Sequence, residues 1–208
     1  SYIHGGGRIG VLVAGNGASD DAAKEALTNI AMQIAAMNPQ YISRDEISAD
    51  ELAKMKEITI DSALNDPFSL PKPVLSKLIE KAVASVWSAE DVAIYEEKKS
   101  NMNFLPNFLS KEAKAQLAEI ACADKEEISG NKIFSGLVEG RISKQMKEIC
   151  LLDQVYVKAE DGKQTVAAYL KSVNPALKIA KFVRFEVGEG MEKKNEDFAA
   201  EVAKQMNV

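Results

Sequence analysis

One histidine, one tryptophan and two cysteines among 208 residues rule out several kinds of chemistry. With His4 as the sole imidazole, a metal site built from several histidines is excluded. A Ser-His-Asp triad is excluded too, unless it uses His4 itself. Cys122 and Cys150 show no Cys-x-x-Cys spacing, and read as two small, buried or half-buried thiols in a reduced compartment. No apolar run approaches the roughly 20 residues of a bilayer span, and no basic-then-apolar leader opens the chain. The chain is therefore read as soluble, with no membrane partner. Cations are also in deficit: 26 Lys and Arg against 31 Asp and Glu give a net charge of -5. Direct nucleic-acid binding is not expected from that balance, because neutralising phosphates needs clustered Lys and Arg.

What is present is ordinary for a globular chain, with 46% hydrophobic and 27% charged residues. Near the start, Ile9, Val11 and Val13 alternate on one face of a strand. Near the end, Val183, Phe185 and Val187 alternate likewise, with Arg184 and Glu186 pointing the other way. Two half-buried strands need a common partner layer, so the two ends of the chain are expected to meet. Gly15-Asn16-Gly17 reads as a turn. Ser19 or Asp20 can cap the helix that follows, whose inner face is Ala23, Leu27, Ile30, Ala31 and Ile34, and Asn38-Pro39 ends it. Ser43-Arg44-Asp45-Glu46 and Ser48-Ala49-Asp50-Glu51 both fit a capping box, one of them opening a helix to about Leu64.

From about residue 50 to residue 150 the periodicity is helical. Val74, Leu75, Leu78, Ile79, Ala82, Val83 and Val86 form one stripe, and Ile133, Phe134, Leu137, Val138 and Ile142 another. Such stripes bury against other helices, which predicts an antiparallel helical projection. Within it, residues 101–109 are apolar for a loop, through Met102, Phe104, Leu105 and Phe108, and fit either a sticky tip or a segment folded back into the core. A short strand is expected at Gln154-Val155-Tyr156-Val157, then a helix from Lys163 to Val173. A final helix carries Phe198, Val202 and Met206 on one side.

The resulting fold class is α+β: a small antiparallel sheet packed by helices and interrupted by a long antiparallel, coiled-coil-like helical insertion. The expected divisions are a discontinuous core at 1–49 and 150–190, the insertion at 50–149, and a C-terminal helix at 191–208.

Gly5-Gly6-Gly7-Arg8-Ile9-Gly10 fits G-x-G-x-x-G letter for letter. A dinucleotide site needs those glycines between a strand and a helix, and here Val11-Leu12-Val13 continues as strand. The glycines fit a tight turn or a close approach better, and no cofactor is implied. The carboxylates lie at helix-surface spacing beside Lys and Arg, as on a solvated face, and no catalytic set stands out.

The opening Ser1–Val13 and closing Lys181–Gly190 blocks, with Val138-Glu139-Gly140-Arg141 and Asp197-Phe198-Ala199-Ala200-Glu201-Val202-Ala203, resemble elongation factor Ts. That family comprises the guanine-nucleotide exchange factors of elongation factor Tu. The resemblance implies a non-enzymatic role in translation elongation, elongation factor Tu as partner, a bacterial cytoplasmic or organellar setting, and a possible homodimer through the helical insertion. It places His4 in the family's Tyr-x-His-Gly segment, which touches a non-nucleotide domain of the partner, with Tyr2 and Arg8 as neighbours. Val157, flanked by Tyr156, lies where the family presents an apolar residue to the GTPase domain, and Phe198 falls on a C-terminal helix where the family also has Asp-Phe, a docking face either onto this protein's own sheet, which helical spacing favours, or onto the GTPase.

The chain departs from the family in its longer helical tract. It also shows no ubiquitin-associated-like domain and no Thr-Asp-Phe motif, so it resembles part of a longer protein whose exchange activity alone is expected to be weak. Two other classes stay open from the residues: a helical scaffold or dimerisation module, and a small-molecule enzyme using the glycine segment.

Overall fold

The computed structural model describes residues 1–190, and the helix expected over 191–208 lies outside them. Among the described residues are eight α-helices and one three-stranded antiparallel sheet. The chain divides into two compact units, one formed by residues 1–38 with the segment from Tyr156 onward, the other by Pro39–Val155.

In the first unit, β1 (Tyr2–His4), β2 (Ile9–Asn16) and β3 (Lys178–Glu186) lie in the order β1-β2-β3. The opening and closing segments are thus direct antiparallel neighbours, with Val11 opposite Arg184 and Leu12 opposite Val183. Gly5–Gly7 form the turn between β1 and β2 at φ of 60°, 66° and 94°, a left-handed path that glycine follows without a Cβ clash. The turn leads into a strand and not a helix, so it lacks the N-terminal amides that a pyrophosphate would need.

Helix α1 (Asp21–Met37) packs on the sheet. Asp20 starts it by accepting from Ala23 N at 2.7 Å, and Asn38 ends it in the left-handed region. Its buried face is Ala23, Ala26, Ile30, Ala31, Gln33, Ile34 and Ala35. Val11 is buried against this layer, together with Val166 and Leu170 of α8 (Val166–Val173).

In the second unit, α2 (Ala49–Leu64) begins at the Ser48 capping box. Ser48 Oγ accepts from Glu51 N at 3.2 Å, and the Glu51 carboxylate accepts from Ser48 N at 2.9 Å. Tyr41 donates its hydroxyl to the same carboxylate at 3.1 Å. The tract expected as one antiparallel hairpin holds six helices: α2, α3 (Lys72–Ser85), α4 (Ala89–Lys98), α5 (Lys111–Ala123), α6 (Lys125–Ser129) and α7 (Lys132–Ile149). Pro67 and Pro71 separate α2 from α3, and Pro106 separates α4 from α5, since proline removes a helical donor. The pieces share one core, which includes Leu64, Leu75, Leu78, Ile79, Leu105, Leu117, Phe134 and Val138.

This unit starts earlier and ends later than the apolar stripes suggest. Gln40 and Tyr41 N–H groups both donate to Ile149 O, and Leu151 N–H donates to Tyr41 O, which ties residues 39–49 and 150–155 into it. Cys150 is buried there, whereas Cys122 is exposed, contrary to the expectation for the latter.

Asp91 locks two helix starts together. Ser88 caps α4 and Ser110 caps α5, and the Asp91 carboxylate accepts from Ser88 Oγ (2.7 Å), Ser110 Oγ (2.9 Å) and Ser110 N (2.9 Å). Burial pushes the Asp91 pKa up, but these bonds together outweigh it and hold the carboxyl below its usual range. A depressed folded pKa means the stabilisation is complete above the unfolded aspartate value of about 4 and fades as the pH falls through the lower folded value. We expect Asp91→Ala to destabilise the helical unit by roughly 1–3 kcal/mol at pH 7, since it removes three hydrogen bonds to a charged acceptor while the exposed Ser88 and Ser110 hydroxyls can turn to water. The urea midpoint reported by Trp87 fluorescence should also fall less steeply below pH 4 in the variant. An unchanged acid limb would show that Asp91 is not the group being titrated.

Candidate functional site

Direct cross-strand partners share a face of an antiparallel sheet. Tyr2 pairs with Val11 and His4 with Ile9, so both point toward the α1 side, at the end of the short edge strand. His4 is exposed, and its Nδ1 lies 3.0 Å from the Tyr2 hydroxyl, with the rings tilted 32° at 5.9 Å. Arg8, exposed, follows the glycine turn, and its carbonyl accepts from Val187 N at 2.9 Å. Tyr2, His4 and Arg8 therefore occupy one corner of the sheet, held by β1, the glycine turn and the end of β3.

The other residues singled out from the sequence separate. Gln154–Val157 is not a strand: a 3₁₀ turn at Leu151–Asp153 precedes it, and only Val155 makes an isolated bridge. The backbone there is bonded locally and to side chains, with Tyr156 N donating to Gln164 O and Val157 N to Gln33 Oε1 at 2.7 Å. Tyr156 is 5% exposed and stacks on Tyr169 at 4.0 Å, which makes it a core residue. Burial, with the Tyr169 hydroxyl next in effect, pushes its phenol pKa up. Val157 is 47% exposed, so it alone of the pair is open to a partner. Phe198 lies outside the described residues. In the 101–109 segment, Leu105 and Leu109 are buried while Phe104 and Phe108 are about half exposed, a mixture of the two alternatives.

The largest departure from the sequence expectation concerns β3. Val183, Phe185 and Val187 were expected inward, and they face outward. A β-bulge opposite Ala14 and Gly15 is responsible: Ile179 pairs with Gly15 and Lys181 with Ala14, so β3 has one residue more than β2 at that point. A single inserted residue flips every side chain beyond it to the opposite face. Ile179 is buried before the bulge, and Phe182 and Arg184 take the inner side after it. Arg184 is tolerated there by an ion pair to Glu186 at 2.8 Å, although its buried Nε has no acceptor among the described residues.

The outer face is consequently apolar and open. Ile3, Gly10 and Phe185 lie in one row across the three strands, and Leu12 and Val183 in the next. Ile3, Leu12, Phe185 and Val187 are 71%, 54%, 58% and 76% exposed. Sequence reasoning missed this surface because residues 182–187 carry apolar side chains at both parities. The one local signal was the phase change between Leu177 and Ile179 on one side and Phe182 on the other.

Comparison with known proteins places these observations. The family described as "Elongation factor TS" matches residues 1–189. Proteins named "Elongation factor Ts" from Clostridioides difficile, Desulforamulus reducens and Alkaliphilus metalliredigens are 36%, 35% and 37% identical to this chain, over 99%, 100% and 99% of it. The chain spans 48% of the first relative's length and 71% and 70% of the other two.

Proposed function

Because the chain belongs to the elongation factor Ts family, we propose that it binds elongation factor Tu and speeds the release of guanine nucleotide from it during translation in the bacterial cytoplasm. The observation that carries this reading is the family match over residues 1–189, which includes the sheet corner where His4 and Arg8 are exposed and Tyr2 is half-buried.

Exchange of this kind is a matter of linkage. A factor that binds the nucleotide-free GTPase more tightly than the nucleotide-bound form lowers nucleotide affinity by the same factor. No bond need be broken by its own side chains. What it must supply is rigid, accessible surface. The sheet corner does so, since β1 is paired along its whole length to β2 and the turn between them is fixed by a 3.4 Å hydrogen bond from Arg8 N to Gly5 O. In this reading His4 and its neighbours meet the partner's distal domain, and Val157 meets the GTPase domain.

The test is release of a fluorescent GDP analogue from elongation factor Tu. The chain should accelerate release, though less than relatives bearing a Thr-Asp-Phe motif. No acceleration, together with no capture of elongation factor Tu at low magnesium, would overturn the reading. His4→Ala should weaken binding about five- to thirtyfold, the effect of losing one interface anchor worth roughly 1–2 kcal/mol. Because His4 is exposed, its melting temperature should move by no more than about 2 °C. A parallel loss of stability would make His4 a structural residue instead.

A further inference from the structure

The loop that begins at Tyr156 is tied down at three consecutive residues. Tyr156 stacks on Tyr169 of α8 at 4.0 Å, Val157 N donates to Gln33 Oε1 at 2.7 Å, and Lys158 Nζ donates to Asn29 Oδ1 at 2.8 Å. Asn29 and Gln33 lie one turn apart on α1, so they share one face of it. The Asn29 amide is fixed in turn. Lysine only donates, so the amide oxygen faces it, and Nδ2 donates to the Tyr169 hydroxyl at 2.8 Å. Val157 and Lys158 are nevertheless both exposed. We propose that Lys158 is a contact residue beside Val157 that holds a carboxylate of the partner's GTPase domain, and that Asn29 is the positioning residue that aims it. The proposal rests on the reading of elongation factor Tu as partner and names the chemistry of the surface that this loop meets.

What distinguishes Lys158 is the neutrality of its acceptor. Lys24, Lys81, Lys98, Lys99 and Lys125 each pair with an acid of this chain, so their charge is already offset. Lys158 is held by an amide, which fixes its direction and leaves its charge uncompensated. An ammonium carries three donors, and the Asn29 oxygen takes one. The acids nearest in sequence do not take the others. Glu160, and Glu25 one turn before Asn29, form no ion pair with Lys158 among the described residues. The Asp161 carboxylate accepts from the amides of Lys163 and Gln164, and Lys163 is a further exposed cation of the same loop.

Preorganisation is what such a tether supplies. A free lysine loses much rotamer freedom when a partner fixes it, and one that is already held loses less. The neighbouring Val157, its own amide pinned by Gln33, adds an apolar group at a set height. That pairing selects a carboxylate on a protein surface over the phosphates of a nucleic acid. An apolar side chain packs on a protein and gains little from a phosphate backbone, and the net charge of -5 opposes polyanion binding.

The binding of nucleotide-free elongation factor Tu to the wild-type chain, Lys158→Met, Asn29→Asp and Val157→Ala is measured by titration calorimetry at low and high NaCl, with thermal melts in parallel. Lys158→Met keeps most of the stem and removes the charge. It should weaken binding about tenfold at low salt, as expected for losing a charge-assisted contact, and flatten the salt dependence. Asn29→Asp still gives Lys158 an acceptor, and the Tyr169 hydroxyl can turn to donate to it. Its melting temperature should therefore stay level or rise. Its binding should fall about tenfold all the same, because the new carboxylate occupies the ammonium in place of the partner's. A merely structural Asn29 would not part affinity from stability in this way.

Lys158→Met binding within about twofold of wild type, with Val157→Ala impaired, would overturn the contact and leave the function standing. A loss in Lys158→Met that is equal at both salt concentrations would assign Lys158 to packing and overturn the carboxylate. Wild-type affinity in Asn29→Asp would overturn its positioning role. Failure of the wild-type chain to bind elongation factor Tu would sink this proposal and the function together. Lys158→Met keeps the test decisive should Asn29→Asp misfold, because Lys158 is exposed and its loss opens no core cavity.

Discussion

Phe134→Ala lowers the stability of the helical unit by about 3–5 kcal/mol, the range for truncating a fully buried aromatic. Phe134 is 1% exposed and is among the largest fully buried side chains of the chain. It lies in the single core that α2, α3, α5 and α7 build together with Leu105 and Trp87. The helices around it are short, so each is stabilised by tertiary packing more than by its own hydrogen bonds. A cavity at the shared centre therefore weakens several helices at once. Trp87 is the only tryptophan of the chain and donates its indole N–H to Ala113 O at 2.9 Å inside this same core. Urea titration followed by Trp87 fluorescence reads the loss directly, as a lowered midpoint at unchanged slope. A loss below about 1 kcal/mol would mean that the core collapses around the gap, and that the helices are less interdependent than their packing implies.

Gly17→Ala is expected to destabilise the sheet unit by several kcal/mol, roughly 2–4, through backbone and not side-chain effects. Gly17 sits at φ 86°, where an L side chain is strained in any surroundings. In addition, an alanine Cβ there would lie 1.8 Å from the carbonyl oxygen of Ala176 and 2.7 Å from its carbon. The obstacle is main chain, and it immediately precedes Leu177, which is 4% exposed, and the start of β3. Relief requires the entry to β3 to move away from the end of β2, at the point where Asn16 pairs with Lys178. Hydrogen exchange should show faster opening along β2 and β3 with the amides of the helical unit unaffected. Gly10→Ala is the internal control: open space surrounds that position, and its stability should not fall. Equal behaviour of the two variants would contradict the assigned path of the chain at residue 17.

Much of the local structure is visible in the residues. Asp20 and Ser48 each precede an apolar period of 3.6, and both cap helices. Asn38 before Pro39 marks the end of α1. Ile9, Val11 and Val13 alternate along β2, and the structure buries Val11 as that alternation requires. The surface residues His4, Arg8 and Val157 are exposed, while Tyr156 passes into the core because a tyrosine on Tyr169 buries more area than the valine beside it.

Long-range features were not visible. Asp91 and Ser110 are 19 residues apart and have no local pattern that couples them. The division of the helical tract into six pieces follows prolines at only two of its five junctions, and the other breaks, at Val86–Ser88, Asp124 and Gly130–Asn131, are set by what each helix packs against. The outward face of β3 was inverted by one bulge residue, which places Arg184 and not Phe185 on the inner side.

Taken alone, the order of residues determined the strands around Val11 and Val183, the starts of α1 and α2, and the membership in a family, because caps, periods and motifs act over a few neighbouring positions. Only the tertiary structure decided which side of β3 faces water, that Asn29 holds Lys158, and that Asp91 joins two helices. Those outcomes depend on register and on contacts between distant residues, where a shift of one position exchanges core for surface.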